Sequence, residues 1–414
     1  MRVRVLLDDL DTTDTDTLLL GLAAHPNVEL RLFNPFVNAR DSSLRRLLAL
    51  AHDFKRLNHR MHTKLFIADG AVGVVGGRNL ADEYFLRGKQ GNFIDFDLLV
   101  TGAVLPQLNH WFDLYWNSTQ VYPVLDIVRA SGPPPATAED LRAAFERNTA
   151  ADQPAPAPDT LDFFGAPPLS TALAQRRFHW LAAEAVAFAD SPLKIEPENY
   201  SVPVTDTVVH RSLLLLGEAH SEVLLFSPYF IPGPKALDRI RALRAAGVSV
   251  RVVTNSLAAS DEPLANIGLE LHQTRLLQMG VELYEMSSTR LKLDHTLRRL
   301  LGSSTGRLHA KLGFLDRKTV LVGSMNLDPR SDKINTEIGM VVRSPELASM
   351  TLSAFQVDAL TGLYRVQLRP DGAGVRWTAV EADTTEELDI DPDTSLWQRL
   401  RLMLLSWFIP ESQL

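Results

Sequence analysis

The sequence contains no cysteine among its 414 residues. Disulfides, zinc–thiolate sites and cysteine nucleophiles are therefore excluded. It also lacks a run of about 18 uncharged apolar residues, the length that a membrane-spanning helix needs, and residues 1–9 predict a strand instead of a signal peptide. With 42 basic against 50 acidic residues and a net charge of −8, it lacks the basic surplus typical of nucleic-acid-binding proteins. We expect a soluble or at most peripheral protein with no nucleic-acid partner.

An internal repeat is the strongest pattern that is present. Two copies of a histidine–lysine–aspartate motif lie 247 residues apart: His62, Lys64 and Asp69, and His309, Lys311 and Asp316. A segment that ends in asparagine follows each copy at the same offset: Gly76-Gly77-Arg78-Asn79 and Gly323-Ser324-Met325-Asn326. Two halves built on one plan are the simplest explanation, and 45% apolar residues suffice for two folded cores.

The hydrophobic pattern predicts an α/β fold. Ser221 to Phe226 and Val248 to Thr254 are apolar runs of strand length, and Lys235 to Ala246 between them has helical character. Each motif lies in an apolar run that a second run follows, which predicts strand–turn–strand. We expect two pseudo-twofold-related halves, each a mixed sheet flanked by helices. Thr171 to Asp190 predicts a helix at the start of the second half.

Composition divides the chain into four parts. Residues 131–170 hold 8 of the 24 prolines, which predicts an extended Pro/Ala-rich linker. It would join an N-terminal half at 1–130 to a C-terminal half at 171–385. A tail at 386–414 carries Trp397 and Trp407 among apolar and basic residues. An amphipathic helix in the membrane interface and a terminal helix docked on the core are both compatible with it.

The repeat also predicts a difference between the halves. The second half has a helix and a strand before Val248, whereas the first half begins directly at the counterpart of Val248. We therefore expect the first half to lack a strand and a helix that the second half has.

The two motifs together predict phosphoryl chemistry. Histidine and lysine two residues apart on a strand point to the same face, so His62 with Lys64 and His309 with Lys311 would meet where the halves join. A neutral imidazole can attack phosphorus and form a phosphohistidine, and a protonated one can give its proton to the departing alcohol. We assign His62 as the nucleophile and His309 as the general acid/base, and the reverse assignment stays open.

Other polar residues complete the predicted site. Besides the lysines, the groups expected to hold phosphate oxygens are Asn79, Asn326, the Ser324 hydroxyl and the backbone N–H groups around Gly77. A carboxylate usually orients an activated histidine, and the candidates are Glu337 and Asp95, with Asp97 as the alternative to Asp95. Asp69 and Asp316 belong to the motifs, but at strand ends they are expected to hold the turns. The mechanism needs no cofactor, and no residue spacing predicts a metal site.

These motifs resemble the two HKD motifs of the phospholipase D superfamily. The resemblance extends to several flanking segments: 56–61 and 76–80 in the first half, and 227–232, 254–259 and 326–331 in the second. Together they look like the bacterial cardiolipin synthase C-type branch. That resemblance implies a phosphatidyltransferase that makes cardiolipin from phosphatidylglycerol and a second phospholipid, such as phosphatidylethanolamine. It also implies a peripheral location on the bacterial inner membrane. Proteins of this branch normally have a further N-terminal segment, and by this resemblance the chain starts after it.

Three other functions remain open at this point. A hydrolase that releases phosphatidic acid would use the same residues and differ only in admitting water. A nucleic-acid phosphodiesterase is disfavoured by the net charge of −8 and by the lack of stacking aromatic residues near basic runs. A truncated relative that binds lipid without turnover is the non-enzymatic reading.

Overall fold

The computed structural model describes the whole chain apart from some short segments. The residues not described are 11, 13–14, 38–39, 41, 132–136, 151–168, 179, 197–203, 294–297, 299–300, 303, 356–361, 373, 381–384 and 407–414. Most of the proline-rich linker and Trp407 therefore lie outside the described residues.

The first half alternates short strands and helices. Its strands are β1 (Val3–Asp8), β2 (Val28–Phe33), β3 (Leu65–Ala68), β4 (Val72–Gly76), β5 (Gly91–Ile94), β6 (Asp97–Thr101) and β7 (Val121–Pro123). Its helices are α1 (Asp16–Ala23), α2 (Ser43–His52), α3 (Phe54–Leu57), α4 (Leu105–Trp116) and α5 (Val124–Ser131). Two more helices, α6 (Ala138–Ala150) and α7 (Leu169–Gln175), lead into the second half.

The second half has more strands. They are β8 (Glu184–Ala189), β9 (Glu222–Phe226), β10 (Ser249–Asn255), β11 (Glu282–Met286), β12 (Thr305–Leu308), β13 (Leu312–Leu315), β14 (Thr319–Gly323), β15 (Ile338–Arg343), β16 (Leu363–Leu368), β17 (Val375–Val380) and β18 (Thr385–Leu388). The helices are α8 (Val208–Leu216), α9 (Pro234–Ala245), α10 (Pro263–Gln278), α11 (Pro329–Lys333), α12 (Pro345–Ala354) and α13 (Leu396–Ser406).

One large mixed sheet organises the second half. Its strand order is β18-β17-β16-β11-β10-β9-β13-β14-β15-β8. The central strands β9, β10 and β11 run parallel to one another, and β13 joins β9 in antiparallel orientation. The run Val223 to Phe226 is wholly buried, as expected for a strand covered on both faces. The predicted strand–helix–strand unit and the strand–turn–strand motif are both present.

The first half has the same strands around its motif but not one continuous sheet. β1, β2 and β7 form one three-stranded sheet, and β3, β4 and β6 form another. The repeat offset relates β1 to β10 and β3 to β13. In the second half β9 lies between β10 and β13 and pairs with both. Within the described residues no strand occupies the place of β9 between β1 and β3. The expected difference between the halves is therefore present, and it divides the sheet of the first half.

The two halves meet by pairing strands across their junction. β5 of the first half pairs in parallel with β12 of the second, so that Ile94 lies opposite Leu308. At the equivalent place Met61 forms a bridge with Thr336. Val75 and Leu108 of the first half belong to the same buried cluster as Phe226 and Phe314 of the second. A common core therefore holds the junction in place.

Two predictions for the region between the halves differ from the structure. Ala138–Ala150, inside the predicted extended linker, is helix α6 and packs on α1, where Phe145 contacts Gly21 so closely that no side chain would fit there. The predicted helix over Thr171 to Asp190 is also wrong at its end, because Glu184–Ala189 is the edge strand β8 and pairs with β15. Alanine-rich composition favoured a helix at β8, and tertiary pairing overrides that preference.

Within the described ranges, no helix is long and apolar enough to cross a membrane.

Candidate active site

Cross-half pairing positions both motif histidines. The backbone N–H of His62 donates to the carbonyl of Thr336 at 2.9 Å, and that of His309 donates to Ile94 at 2.8 Å. Glu337 follows Thr336 in the chain and Asp95 follows Ile94, so a carboxylate side chain comes directly after each of these backbone contacts. Each histidine of one half is therefore placed beside a carboxylate of the other half.

His62 is held by Glu337 of the second half. Its Nδ1 lies 2.8 Å from Glu337 Oε2, and the Glu337 side chain is fully buried. Glu337 also accepts hydrogen bonds from the hydroxyls of Ser324 at 2.5 Å and Ser331 at 2.9 Å. With Nδ1 donating to the carboxylate, Nε2 is left with its lone pair facing away from Glu337.

His309 is held in the same way by Asp95 of the first half. Its Nδ1 lies 2.7 Å from Asp95 Oδ2, and the other carboxylate oxygen accepts the backbone N–H of Phe96 at 2.8 Å. A Cβ on Gly77 would lie 2.4 Å from Asp95 Oδ1. Glycine is therefore required at position 77 so that the carboxylate can reach His309.

The motif lysines have equivalent positions. Lys64 Nζ donates to the carbonyl of His62 at 2.7 Å, and Lys311 Nζ donates to the carbonyl of His309 at 2.7 Å. Lys311 also lies 3.0 Å and 3.1 Å from the two ring nitrogens of His309. The charges of His309, Lys64 and Lys311 each act on the pKa of His62, so all four groups share one electrostatic environment.

Burial makes both imidazoles neutral near pH 7. Burial, followed by the charges of Lys64 and Lys311, lowers the pKa of His62 well below its usual value. Burial and the Lys311 charge lower the pKa of His309 to about 4, against the opposing hydrogen bond to Asp95. A neutral imidazole keeps the lone pair that a nucleophile or a base needs.

The two orienting carboxylates differ in charge state. Burial raises the pKa of Glu337 to about 7, against the opposing charge of Lys64. Burial also acts to raise the pKa of Asp95, but the hydrogen bond and charge of His309 outweigh it, and the pKa is lowered. Asp95 is therefore ionised at neutral pH, whereas Glu337 changes its charge there.

The pKa values of the two motif lysines are also lower than usual. Burial lowers the pKa of Lys64 to about 7, against the opposing charge of Glu337. Burial likewise lowers the pKa of Lys311 to about 8, against the charges of Asp95 and Asp261. A bound anion would favour the charged form of both side chains. The site is therefore well suited to a negatively charged phosphodiester.

A tyrosine covers the free nitrogen of His309. The Tyr84 hydroxyl lies 3.2 Å from His309 Nε2 and accepts a hydrogen bond from Asn79 Nδ2 at 2.8 Å. The Tyr84 ring meets the imidazole edge to face at 4.8 Å, and Phe93 lies 5.1 Å from the same imidazole. The side chain of His309 is 5% exposed, whereas that of His62 is 23% exposed. The two histidines are therefore unequally accessible.

Two polar residues hold the backbone ahead of the motifs. Asn255 accepts from the N–H of Leu308 at 2.8 Å and donates to its carbonyl at 2.9 Å. Asp8, its counterpart in the repeat, accepts from the N–H of Met61 at 2.7 Å and from Arg60 at 2.8 Å. Sequence analysis missed Tyr84, Asp8 and Asn255. The offset of 247 residues was the available signal for the last two.

The predicted phosphate-binding role of the glycine turns does not fit their contacts. The Ser324 hydroxyl donates to Glu337 and accepts from the N–H of Ile338 at 3.0 Å. The backbone N–H groups of Ser324 and Gly77 donate to the carbonyls of Ile338 and Phe96. These groups support the carboxylates, because the turns lie beside Glu337 and Asp95.

The two asparagines predicted to hold phosphate oxygens have different contacts. Asn79 contacts Tyr84, as described above, and so reaches His309 indirectly. Asn326 is 5% exposed, and among the described residues its Oδ1 has no hydrogen-bond partner. A buried polar atom without a partner costs about 1–3 kcal/mol, which makes this amide a natural place for a substrate group.

The motif aspartates lie at the far ends of their strands. Asp316 follows β13 and accepts the backbone N–H groups of His220, Ser221 and Glu222 and the Ser221 hydroxyl. Although Asp316 belongs to the same motif as His309 and Lys311, the length of β13 separates it from Lys311. Asp69 occupies the same place after β3 and shares the left-handed backbone, with φ of 52° against 51°. Both aspartates fit the turn-holding role.

Asp97 has a different partner from the one considered for it. Its Oδ2 accepts from Arg78 Nε at 2.6 Å, and the burial of Asp97 raises its pKa. Of the two candidates, Asp95 is therefore the one that reaches a histidine. No cluster of three or more potential metal ligands occurs among the described residues.

The fold and the paired motifs define a phospholipase D-like protein, and comparisons with known proteins agree. The family model "Cardiolipin synthase, PLD-like domain" matches residues 213–359. "Cardiolipin synthase C" of Escherichia coli (strain K12) is 34% identical over 98% of this chain and 83% of its own length. An uncharacterized protein of Helicobacter pylori (strain ATCC 700392 / 26695) is 31% identical over 100% of this chain and 79% of its own length. The chain therefore belongs to the cardiolipin synthase family.

A solved structure shares the fold. The phosphatidylserine synthase of Haemophilus influenzae Rd KW20 superposes with a TM-score of 0.54 at 13% identity, over 98% of this chain and 88% of that one. At this identity the likeness concerns the fold alone.

Proposed function

We propose that this protein makes cardiolipin by moving a phosphatidyl group from a donor phospholipid to phosphatidylglycerol. The observation that carries the proposal is the pair of carboxylate-held histidines, His62 with Glu337 and His309 with Asp95, that meet across the junction of the halves. Phosphatidylethanolamine or a second phosphatidylglycerol serves as donor. The enzyme acts peripherally at the bacterial inner membrane.

His62 is the nucleophile in this proposal. Its Nε2 attacks phosphorus, the bond from phosphorus to the departing alcohol breaks, and a phosphatidyl-histidine forms. The unequal access to the two imidazoles supports this assignment, because Tyr84 covers Nε2 of His309 and His62 is the more exposed of the two.

His309 moves the protons. Its Nε2 gives a proton to the departing alcohol and then takes one from the hydroxyl of the acceptor, which attacks phosphorus and breaks the phosphorus–nitrogen bond. The bound diester favours the imidazolium form, since a nearby negative charge raises the pKa of a histidine. Tyr84 turns away from Nε2 when the departing oxygen takes its place.

Lys64, Lys311 and Asn326 hold the phosphate. The two ammonium groups lie beside the histidines and offset the charge that develops on the non-bridging oxygens. The unpartnered amide of Asn326 contacts the substrate. Ser324 and Gly77 act through the carboxylates and not on the phosphate.

The test is conversion of defined lipids. Purified protein is added to vesicles of phosphatidylglycerol and phosphatidylethanolamine, and the products are identified by mass spectrometry. Wild type and a His220→Ala control, which changes an exposed histidine, should form cardiolipin, and His62→Ala and His309→Ala should not. Phosphatidic acid as the only product would make the protein a hydrolase. No change in any lipid would remove the proposal and leave nucleic-acid diesters or non-catalytic lipid binding.

A further inference from the structure

Helix α2 presents its leucines to solvent. Leu44, Leu47 and Leu48 are 65%, 61% and 61% exposed. Residues spaced by three and four positions share one face of a helix, so the three side chains form a single apolar stripe. A helix of a soluble domain normally turns such a stripe toward the core. We call these three residues the leucine face of α2.

The opposite side of α2 is anchored through a charged residue. Arg46 is buried and donates to the carbonyls of Asp9 and Leu10 at 2.6 Å and 2.8 Å, and to the Thr12 hydroxyl at 3.0 Å. Arg40 pairs with the buried Asp9 carboxylate at 2.5 Å. The helix is thus held by polar contacts on its inner side. Rotating the leucines inward would break these buried hydrogen bonds, so the exposed orientation is the stable one.

The surroundings of the leucine face are positively charged. Arg45 of α2 and Arg56 of α3 are exposed, in a chain whose net charge is −8. Lys55 is exposed, and Phe54 beside it is 43% exposed. Apolar side chains flanked by cations are the features of a helix that lies in the interface of an anionic membrane.

We propose that the leucine face of α2 docks into the headgroup region of an anionic phospholipid bilayer. The inference rests on the proposed function, because the substrates of that reaction are bilayer lipids. Along the chain only Asp53, α3 and the segment 58–61 lie between α2 and His62, so docking here would place the bilayer on the half that carries the first motif.

The test compares two matched double variants. Leu44→Ser/Leu47→Ser removes two leucines of the face. Leu214→Ser/Leu271→Ser removes two leucines of similar exposure, 52% and 63%, from α8 and α10. Binding to vesicles of phosphatidylcholine, with or without phosphatidylglycerol, is measured by flotation. Turnover is measured on those vesicles and on short-chain lipid dispersed as monomers.

The α2 variant should lose vesicle affinity about 30-fold or more, since two leucine side chains no longer leave water when the face docks. It should keep wild-type turnover on monomeric lipid, and the control variant should behave as wild type in every assay. Wild-type binding should weaken when phosphatidylglycerol is omitted.

Two results would overturn the proposal. One is unchanged vesicle binding by the α2 variant. The other is a wild-type dimer that this variant converts to a monomer without loss of vesicle binding, which would make the face an interface between two copies. If the predicted binding pattern occurs but no protein converts lipid, the docking surface stands and the proposed function fails.

Discussion

The two halves carry the same motif on sheets of different completeness. In the second half β9 joins β10 to β13, and every residue of β13 is buried. In the first half β1 and β3 belong to separate sheets, and Phe66 of β3 is 64% exposed at the position that Gly313 occupies in β13. Despite this difference, each histidine is held by a backbone carbonyl and a carboxylate of the other half.

The comparison shows where the order of the site comes from. The backbone N–H and the Nδ1 of His62 are held by Thr336 and Glu337, which both belong to the complete second half. The incomplete sheet of the first half therefore does not have to position its own histidine. It supplies Asp95 to His309, so each half depends on the other.

The largest effects are expected from the carboxylates that cross the junction. Asp95→Asn and Glu337→Gln should each lower kcat on the order of 10³-fold or more, because the amide no longer stabilises an imidazolium and favours the wrong tautomer. Steady-state cardiolipin formation measures this, with Asp97→Asn, two residues after Asp95, as the matched control. A loss confined to one of the two carboxylates would contradict mutual dependence of the halves.

The next effect concerns stability and uses two valines related by the repeat. Val252 in β10 is 0% exposed, and Val5, its counterpart in β1, is partly exposed. Val252→Ala should lower the free energy of unfolding by about 2 kcal/mol through lost burial and a cavity, and Val5→Ala by less than about 1 kcal/mol, since the removed groups are partly hydrated. Urea unfolding followed by circular dichroism gives both values. Equal losses would mean that the sheet of the first half is as well packed as that of the second.

The pH dependence should reveal the unequal carboxylates. The Glu337 carboxyl, whose pKa is raised to about 7, must be ionised to orient His62, so kcat/KM should fall about tenfold per pH unit below that value. On the alkaline side it should fall as well, because Lys64 loses its proton above about 7 and Lys311 above about 8. Glu337→Gln should abolish the acid limb. An acid limb unchanged in this variant would assign the titration to another group.

The smallest effect is expected from Tyr84, whose hydroxyl covers Nε2 of His309. Tyr84→Phe keeps the aromatic packing and removes one neutral hydrogen bond to Nε2, worth about 1 kcal/mol. The reactivity of His309 toward diethyl pyrocarbonate should therefore rise about fivefold, while that of His62 stays constant. Peptide mapping distinguishes the two sites. Unchanged reactivity of His309 would show that Tyr84 does not limit access.

The sequence was sufficient to predict the features that the two halves share or in which their patterns differ. The constant offset identified both motifs and the strand that is missing between β1 and β3 among the described residues. The hydrophobic pattern predicted the α/β plan, and the need of an activated histidine for a carboxylate pointed to Asp95 and Glu337. Each of these depends on local pattern or on comparison of one half with the other. The same offset also relates Asp8 to Asn255, two residues that sequence analysis missed.

Features that depend on packing between the halves were beyond sequence reasoning. Which histidine meets which carboxylate is decided by the pairing of β5 with β12, two short strands far apart in the chain. Tyr84 reaches His309 from a segment that is five residues longer than its counterpart, since 15 residues lie between Asn79 and Asp95 and 10 lie between Asn326 and Glu337. The Ser324 hydroxyl was expected at the phosphate because its carboxylate partner was not foreseen.

The central claim is that the two motifs form one site with unequal roles, and trapping of the covalent intermediate tests it most directly. A phosphatidyl ester of p-nitrophenol needs no proton on its departing oxygen, so His309→Ala should still form the intermediate but lack the base that resolves it. Quenching in denaturant at neutral pH, which spares the acid-labile phosphorus–nitrogen bond, followed by peptide mass spectrometry should then find a phosphatidyl adduct on His62, and none in His62→Ala. An adduct on His309 in the wild type, or any adduct in His62→Ala, would contradict the account.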